Sequence, residues 1–395
     1  MTNISSASAS SQQIDLSRPL RILWVGPVIA ESLFTNIAVS AAASQWQQGL
    51  IDSLSGLGVQ VEVFTHLPCR AFPRGSLWPI YDKKIFPGHL QGHGIPYLNL
   101  PKVRDWFLAR QYKHALERLV AAKPFDLVVS YNAEAYVTAP IAKVLSKRFL
   151  PWVAIIADLP KDNPKRFLER SKVEAADGKI FLSWKNFNEY GNQQKDFYLE
   201  GGVHQQIGQT QNEDSRIKRI AYFGGVTALG GVNLFLEASK YLPGPEYEFH
   251  IVGVGDGPRL NDYLKSDSRI VYHGSLPQNE LIKLGKKMDI FVNPRPSKLS
   301  ENNFPSKILT YLGFGKPVIS TFGYGISPEY KDILIEINEE SAPALAAAIR
   351  KVAKWDQEQL DQYWVKVNSF VGESKAWNIQ AKKVLSWFER LLDAN

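Results

Sequence analysis

The sequence has little cysteine and no long apolar runs, and each absence excludes a class of protein. Cys69 is the single cysteine among 395 residues, so the chain holds neither a disulfide framework nor a cysteine-ligated metal cluster. No apolar run is long enough to span a bilayer. Residues 1–19 are polar and Ser-rich and lack the basic flank and apolar stretch of a secretion signal. We therefore expect a cytoplasmic protein with a disordered tail at residues 1–19.

Sequence signals for metals, nicotinamide cofactors and nucleic acid are also absent. The seven histidines are dispersed, and none has the spacing of a metal-binding motif such as HExxH. GVGDGPRL, at residues 253–260, resembles a dinucleotide fingerprint only superficially, because no fitting acidic residue lies on a following strand. The basic residues match no nucleic-acid-binding motif. We predict no metal, no cofactor and no nucleic-acid partner.

The chain is basic, with 46 Lys and Arg residues against 39 Asp and Glu residues and a formal net charge of +7. A basic chain favours anionic partners, such as acidic lipid headgroups or phosphorylated substrates, although a solvated basic surface gives the same charge. The length is enough for two domains with sizeable cores.

Short apolar strands alternate with amphipathic helices along most of the sequence. RILWVGPV, at 21–28, and VQVEVFTH, at 59–66, flank a helical pattern, and this βαβ unit implies parallel strands. The alternation stops at a polar linker, residues 205–217, and then resumes. The predicted fold class is therefore α/β, with two Rossmann-like domains at 20–204 and 218–375 whose parallel sheets face a central cleft.

Residues directly after strands are the first candidates for a site, because ligands of such sheets bind beyond the carboxyl ends of strands. Asp158 is suited to orient a substrate hydroxyl or to steady a developing positive charge, but helix caps and turns use the same residue type. His66 either faces the cleft or is packed in the core. Glycines after a strand let backbone approach a ligand, although tight turns need them too. The strand-end candidates are Gly26, Asn132, Asp158, Gly224, Gly253 and Arg295.

The most informative segment is 289–320, DIFVNPRPSKLSENNFPSKILTYLGFGKPVIS. It predicts a buried strand, a polar loop, a helix and a second buried strand. Pro305 suits the first turn of the helix, with Asn302 or Asn303 as the cap. Arg295 and Lys307 stand on either side of that helix start, where free backbone N–H groups attract anions. This pattern suits a diphosphate, while two solvated loop cations are the alternative reading.

Aromatic and basic residues alternate between residues 67 and 110. Three interpretations remain open for this region: a loop packed over its own domain, a surface that binds anionic lipid, and a single-strand nucleic-acid site, in that order of preference. The residues are Trp78, Tyr81, Phe86, Trp106 and Phe107 among Arg70, Arg74, Lys83, Lys84, Arg104 and Arg110.

Taken together, these motifs resemble those of the retaining GT-B glycosyltransferases of the family 4 type, from Leu20 to the C-terminus. The most specific part is NPRPS…NNFPSKILTYLGFGKPVIS, at 293–320, which is similar to the donor-site segment of that family. GGVTALGGVNLFLEA, at 224–238, resembles the family's glycine turn and following helix, and IVGVGDGP is similar in kind and order. The late segment 376–395 resembles the helix that crosses back onto the first domain.

The resemblance implies a metal-independent, retaining hexosyltransferase that uses a UDP- or GDP-linked sugar and a saccharide or lipid-linked acceptor. The second domain would bind the donor and the first the acceptor, at the inner face of the cell membrane. Arg295 and Lys307 would stabilise the leaving diphosphate, with Asp158 as a third catalytic residue. The implied donor-binding residues are Gly224, Gly225, Gly253, Asn303, Phe304, Pro305, Ser306 and Thr310, and the implied acceptor-binding residues are Gly26, His66 and Asn132.

The sequence departs from the family pattern at four positions. Gly225 and Gly230 stand where the family often has a basic residue and a lysine. The acidic pair of the family, spaced by seven residues, would fall near Asn302 and Thr310, neither of which is acidic. Glu301 is the nearest carboxylate that could substitute. These losses favour an alternative function, a catalytically inactive GT-B subunit that binds nucleotide or a partner enzyme. A sugar epimerase of the same fold is a third hypothesis. Such an enzyme needs acid–base carboxylates in the cleft, and we find none in this sequence.

Overall fold

The chain folds into two α/β domains, each built on one parallel sheet. The computed structural model describes residues 18–30, 33, 40–79, 86–204, 216–255, 260–299 and 301–394. Most of the predicted tail and most of the predicted linker lie outside the described residues, as do Tyr81, Lys83, Lys84 and Pro258 of the GVGDGPRL segment. Within the described ranges, no helix is both long and apolar enough to cross a membrane.

The first domain has a seven-stranded sheet in the order β3-β2-β1-β4-β5-β6-β7, with every neighbouring pair parallel. All five residues of the interior strand β5 (Trp152–Ile156) are buried, because helices cover both faces of the sheet. The other strands are β1 (Arg21–Val25), β2 (Gln60–His66), β3 (Gln91–Ile95), β4 (Leu127–Tyr131), β6 (Gly178–Phe181) and β7 (Phe197–Tyr198); the helices are α1 (Ala41–Gly56), α2 (Arg104–Ala122), α3 (Ala135–Leu145), α4 (Pro164–Ser171) and α5 (Trp184–Tyr190).

The second domain has a six-stranded sheet in the order β10-β9-β8-β11-β12-β13, again with every pair parallel. Each sheet reverses its strand order beside its first strand, and a crevice forms at such a point. The strands are β8 (Lys218–Phe223), β9 (Tyr247–Val252), β10 (Ile270–Tyr272), β11 (Ile290–Asn293), β12 (Val318–Ser320) and β13 (Ile335–Glu336); the helices are α6 (Val232–Ser239), α7 (Leu260–Ser266), α8 (Gln278–Lys286), α9 (Lys307–Gly313), α10 (Ala342–Ala353), α11 (Gln357–Phe370) and α12 (Trp377–Asp393).

The final helix, α12, packs on the first domain although it follows the second in the chain. Its buried residues Trp377, Val384 and Phe388 share one hydrophobic core with Trp24 and Leu50 of the first domain. The chain therefore crosses between the domains twice. The two crossings lie side by side, because the N–H of Val203 donates to the carbonyl of Lys375 at 2.7 Å and the N–H of Trp377 donates to the carbonyl of Val203 at 3.1 Å.

Two expectations about the start of α9 are wrong. The helix expected to include Pro305 in its first turn begins at Lys307, with Ser306 as its N-cap, and no side chain caps it. The Asn303 side chain, expected as a cap, instead donates to Asp158 of the first domain at 2.6 Å.

A strand, β3, lies within residues 67–110, for which a packed loop was the preferred interpretation. Its sequence, QGHGI, has two glycines and gives no strand signal, and it pairs with β2 through its backbone.

Candidate functional site

A cavity of about 500 Å³ lies between the two domains, at the carboxyl ends of β1, β2, β4 and β5 and beside the loop after β11. Both domains contribute to its wall, as a site for two substrates requires. The lining residues are Val25, Gly26, Pro27, Ser40, Ala42, Ala43, Trp46, His66, Pro68, Tyr112, Tyr131, Asn132, Glu134, Tyr136, Val137, Ala157, Asp158, Leu182, Glu200, Arg295, Asn303, Phe304 and Ser306.

Eight of the candidate residues line this cavity, and six do not. Thr310 is exposed and lines a separate cavity of about 360 Å³, together with residues of α8 and the crossing segment. Gly224, Gly225, Gly253 and Lys307 lie in the second domain around the end of β8, and Pro305 is buried beneath the loop. The eight that line the main cavity are Gly26, His66, Asn132, Asp158, Arg295, Asn303, Phe304 and Ser306.

Arg295 reaches the cavity from the loop after β11 and is half-buried. Its Nε atom is buried and has no hydrogen-bond partner among the described residues. Loss of water around the guanidinium lowers its pKa, and the charge of Asp158 opposes that effect. A buried donor without a partner costs free energy unless a ligand satisfies it. Arg295 is thus placed to donate to an anion that enters the cavity.

Lys307, the first residue of α9, extends its ammonium group towards the end of β8. Its Nζ donates to the carbonyl of Gly230 at 3.2 Å and lies 4.1 Å from the centre of the Tyr222 ring. Burial, reinforced by the positive charge of Arg295, lowers the pKa of Lys307 to about 7. Among the described residues, no carboxylate forms an ion pair with Lys307 or Arg295. Two cations that repel each other and have no carboxylate in ion-pair contact form a site for an anion.

Glycine is required at the end of β8 because neighbouring groups approach its backbone closely. Gly224 has a φ of +156°, and a Cβ built there would lie 3.1 Å from Nζ of Lys307. Gly253, with a φ of +149°, would place a Cβ only 1.8 Å from the carbonyl oxygen of Gly224. A side chain at either position would push the turn away from Lys307. These glycines therefore keep exposed backbone beside the cation.

Of the two absent cations of the family pattern, the structure explains the one at position 230 and not the one at position 225. A Cβ built on Gly225 meets nothing within 4 Å, so a longer side chain fits there. A Cβ built on Gly230 would lie 2.4 Å from both the Gly225 carbonyl and the Tyr222 hydroxyl. That hydroxyl donates to the Gly225 carbonyl at 2.7 Å. The turn is thus closed by Tyr222 and leaves no room for a lysine at position 230.

The loop between β11 and α9 is tied to the first domain by polar contacts. Lys185 pairs with Glu301 at 2.8 Å, and the Asn186 side chain donates to the carbonyl of Asn302 at 2.8 Å. Burial raises the pKa of Asp158, against the effects of Arg295 and of its hydrogen bond from Asn303. Glu301, considered above as a substitute carboxylate, is therefore engaged in a domain–domain ion pair.

On the first-domain side, the cavity wall is aromatic. His66 is hydrogen-bonded to the Tyr112 hydroxyl at 2.8 Å, and burial lowers its pKa to about 4, so the ring is neutral at pH 7. The Tyr136 ring centre lies 5.9 Å from that of His66. Sequence reasoning missed Tyr136 and also Glu134, which both line the cavity. The position of Glu134 in the sequence could have identified it, because it follows β4 by three residues and is close to the candidate Asn132.

Comparisons with known proteins show which family model and which solved structures this chain resembles. Residues 217–354 match the model of the family described as glycosyl transferases group 1. Among solved structures, sucrose-phosphate synthase from Thermosynechococcus elongatus has a TM-score of 0.68 at 16% identity, covering 95% of this chain and 100% of that one. The lipopolysaccharide outer core galactosyltransferase WaaB has a TM-score of 0.64 at 12% identity, covering 95% and 99%. Anabaena HepE in complex with UDP and glucose has a TM-score of 0.63 at 13% identity, covering 93% and 99%. No curated protein matches the chain by sequence.

Proposed function

We propose that this chain, which has the GT-B fold and a C-terminal domain of the glycosyl transferases group 1 family, is a retaining hexosyltransferase. It moves a sugar from a UDP- or GDP-linked donor to a saccharide or lipid-linked acceptor, in the synthesis of a polysaccharide or glycolipid. The GT-B fold and the two facing parallel sheets expected from the sequence are confirmed. Retention, the acceptor and the pathway belong to the proposal.

One observation supports the donor assignment above the others: Arg295 and Lys307 lie next to an exposed glycine turn without a carboxylate ion pair among the described residues. A nucleotide diphosphate supplies the negative charge that this arrangement lacks. Solved structures of the same fold include Anabaena HepE in complex with UDP and an E. coli protein bound with UDP-2-fluoro glucose. The same placement of a diphosphate in this chain is our inference.

In the proposed reaction, the bond between the anomeric carbon and the diphosphate oxygen breaks, and its electron pair moves to the diphosphate. Arg295 and Lys307 stabilise that charge, so no metal ion is needed. An acceptor hydroxyl attacks the anomeric carbon from the same face, and its proton passes to the departing phosphate oxygen. Asp158 orients the acceptor or steadies the positive charge that develops on the sugar ring.

A screen of nucleotide-sugars tests the function directly. We expect one UDP- or GDP-linked hexose to raise the thermal midpoint of the protein, because a ligand that binds only the folded chain stabilises it. We also expect that donor to be hydrolysed slowly without an acceptor, which release of the nucleotide would report. Binding without hydrolysis or transfer would favour the inactive-subunit alternative. Absence of binding by every donor would contradict both hypotheses.

An exposed aromatic surface on the first domain supports a lipid-linked acceptor. Trp78 and Trp106 are 52% and 64% exposed, and both ring centres lie within 6.3 Å of Phe107. Two cations accompany these rings. Lys102 is close to Trp106 in sequence, and Arg110 is on the same helix as Trp106. Aromatic rings beside cations suit an anionic membrane surface.

We expect the protein to sediment with phosphatidylglycerol vesicles and not with phosphatidylcholine vesicles. The double variant Trp78→Ala/Trp106→Ala should lower that binding by about tenfold, because each ring buries apolar area in the interface. Tyr241→Ala, which removes an exposed aromatic ring from the second domain, serves as the control. Equal sedimentation of both variants would contradict this location for the membrane surface.

A further inference from the structure

The cavity lining also restricts the acceptor, and we infer that the acceptor group bound there is an uncharged sugar ring rather than a sugar phosphate. This inference rests on the proposed function and names the substrate class of the same site. It is carried by the first-domain wall of the cavity, which among the described residues has carboxylates and aromatic rings but neither lysine nor arginine.

Three carboxylates line the cavity, and two of them have basic partners. Asp158 faces the charge of Arg295, and Glu200 is paired with Lys375 at 2.5 Å. The Glu134 carboxylate has no hydrogen bond or ion pair among the described residues, and the hydrogen bonds of this residue go to its backbone carbonyl. A phosphate on the acceptor would enter next to that carboxylate with no basic side chain of the first-domain wall to offset the repulsion.

The positive charge of Arg104 acts on Glu134 but does not change this balance. Arg104 acts on Glu134 only through its charge, and it forms its own ion pair with Asp105 at 3.1 Å. Neither Arg104 nor Asp105 lines the cavity. Burial raises the pKa of Glu134, and the negative charge of Asp105 adds to that effect. The local field around Glu134 therefore disfavours a further negative charge.

Hydroxyl groups of a sugar match the unsatisfied polar atoms. The Glu134 carboxylate is half-buried at the start of α3 and makes no side-chain cap there. The Oδ1 atom of Asn132 is buried without a hydrogen-bond partner, and the residue is held at a φ of +65° directly after β4. Both groups accept hydrogen bonds, and sugar hydroxyls donate them. Unsatisfied buried acceptors cost free energy until such donors arrive.

Aromatic rings supply the apolar surface that a sugar ring packs against. The Trp46 and Tyr131 ring centres lie 5.8 Å apart, and both residues line the cavity with Tyr136. The C–H bonds of a pyranose face pack on such rings, while its hydroxyls turn towards polar groups. Aromatic walls with a few placed polar groups give orientation as well as affinity.

The test compares octyl glycosides of glucose, galactose and mannose with the 6-phosphates of the same hexoses as acceptors, using the donor identified in the screen. We expect kcat/KM for the best octyl glycoside to exceed that for the best hexose phosphate by about a hundredfold. Comparable transfer to a hexose phosphate, or no transfer to any octyl glycoside, overturns the inference.

Glu134→Ala should raise the acceptor KM by about tenfold, because it removes a charged hydrogen-bond acceptor from the cavity. Glu169→Ala, which removes an exposed carboxylate from α4, is the matched control and should leave the acceptor KM unchanged. An unchanged acceptor KM in Glu134→Ala contradicts the role of this residue.

Failure of the proposed function and failure of the acceptor inference give different experimental results. If the proposed function is wrong, the wild-type protein releases no nucleotide from any donor. If only the acceptor inference is wrong, nucleotide release persists and octyl glycosides do not accelerate it.

Discussion

Lys307→Ala is expected to lower sugar transfer by about a thousandfold, the effect of removing one fixed donor from a developing negative charge. The ammonium group lies against the glycine turn at the end of β8, near Arg295, where the diphosphate is proposed to leave. The fold should survive, because Lys307 has no carboxylate partner whose charge would be left buried. Turnover at saturating donor, with circular dichroism of the variant, measures both effects.

Lys298→Ala is the matched control for that change. Lys298 belongs to the same loop but is exposed, and a solvated cation contributes little to a site. Its turnover should equal that of the wild-type protein. Unchanged turnover in Lys307→Ala would remove Lys307 from the proposed reaction.

The pH dependence of donor binding follows from the same residue. In the free protein the pKa of Lys307 is about 7, against an ordinary value of 10.5, so the amine is largely neutral at pH 8 and above. A diphosphate favours the charged form, and binding must then take up a proton. The Kd for the donor should rise as pH increases above 7, approaching about tenfold per pH unit.

Arginine at position 307 keeps its charge across this range, so Lys307→Arg should give a flat profile between pH 6 and pH 9. The nucleotide-sugar itself is the right probe, because both of its phosphates are esterified and keep their charge over the same interval. Calorimetry in buffers of different ionisation enthalpy would report the proton uptake. A flat wild-type profile would contradict the lowered pKa.

Lys375→Ala is expected to lower the free energy of unfolding by about 3–5 kcal/mol, the usual cost of breaking a buried ion pair. The side chains of Lys375 and Glu200 are 4% and 1% exposed, and their charged atoms lie 2.5 Å apart. Glu329 accepts from the same ammonium group at 2.6 Å, and the Tyr330 hydroxyl donates to Glu200 at 2.6 Å. Without the lysine, the Glu200 carboxylate keeps a buried charge, and among the described residues only the Tyr330 hydroxyl donates a hydrogen bond to it.

Denaturation in urea, followed by tryptophan fluorescence, measures this loss through the shift of the midpoint. Lys382→Ala changes an exposed lysine of α12 and should alter stability by less than about 0.5 kcal/mol. The double variant Lys375→Met/Glu200→Gln should recover much of the stability, because no unpaired charge is then buried. A loss below 1 kcal/mol in Lys375→Ala would contradict this account of the domain junction.

The sequence by itself determined the α/β class and the two parallel sheets, because short continuous apolar runs such as WVAII in β5, alternating with amphipathic helices, are typical of strands buried on both faces. It also placed Asp158, Asn132 and Arg295 near one another, since the carboxyl ends of parallel strands meet at one edge. These are short-range signals of periodicity and chain position. They do not depend on which residues finally touch.

Only the tertiary structure decided which side chains share a cavity and which have partners. Glu301 is paired with Lys185 from 116 residues away, Thr310 lines a different cavity, and the Glu134 carboxylate has no hydrogen-bond partner in the part of the chain that the structure describes. The crossing of the chain between domains also buries Lys375 with Glu200, a contact that spans 175 residues. No local pattern specifies such contacts, because they arise from the packing of one domain against the other.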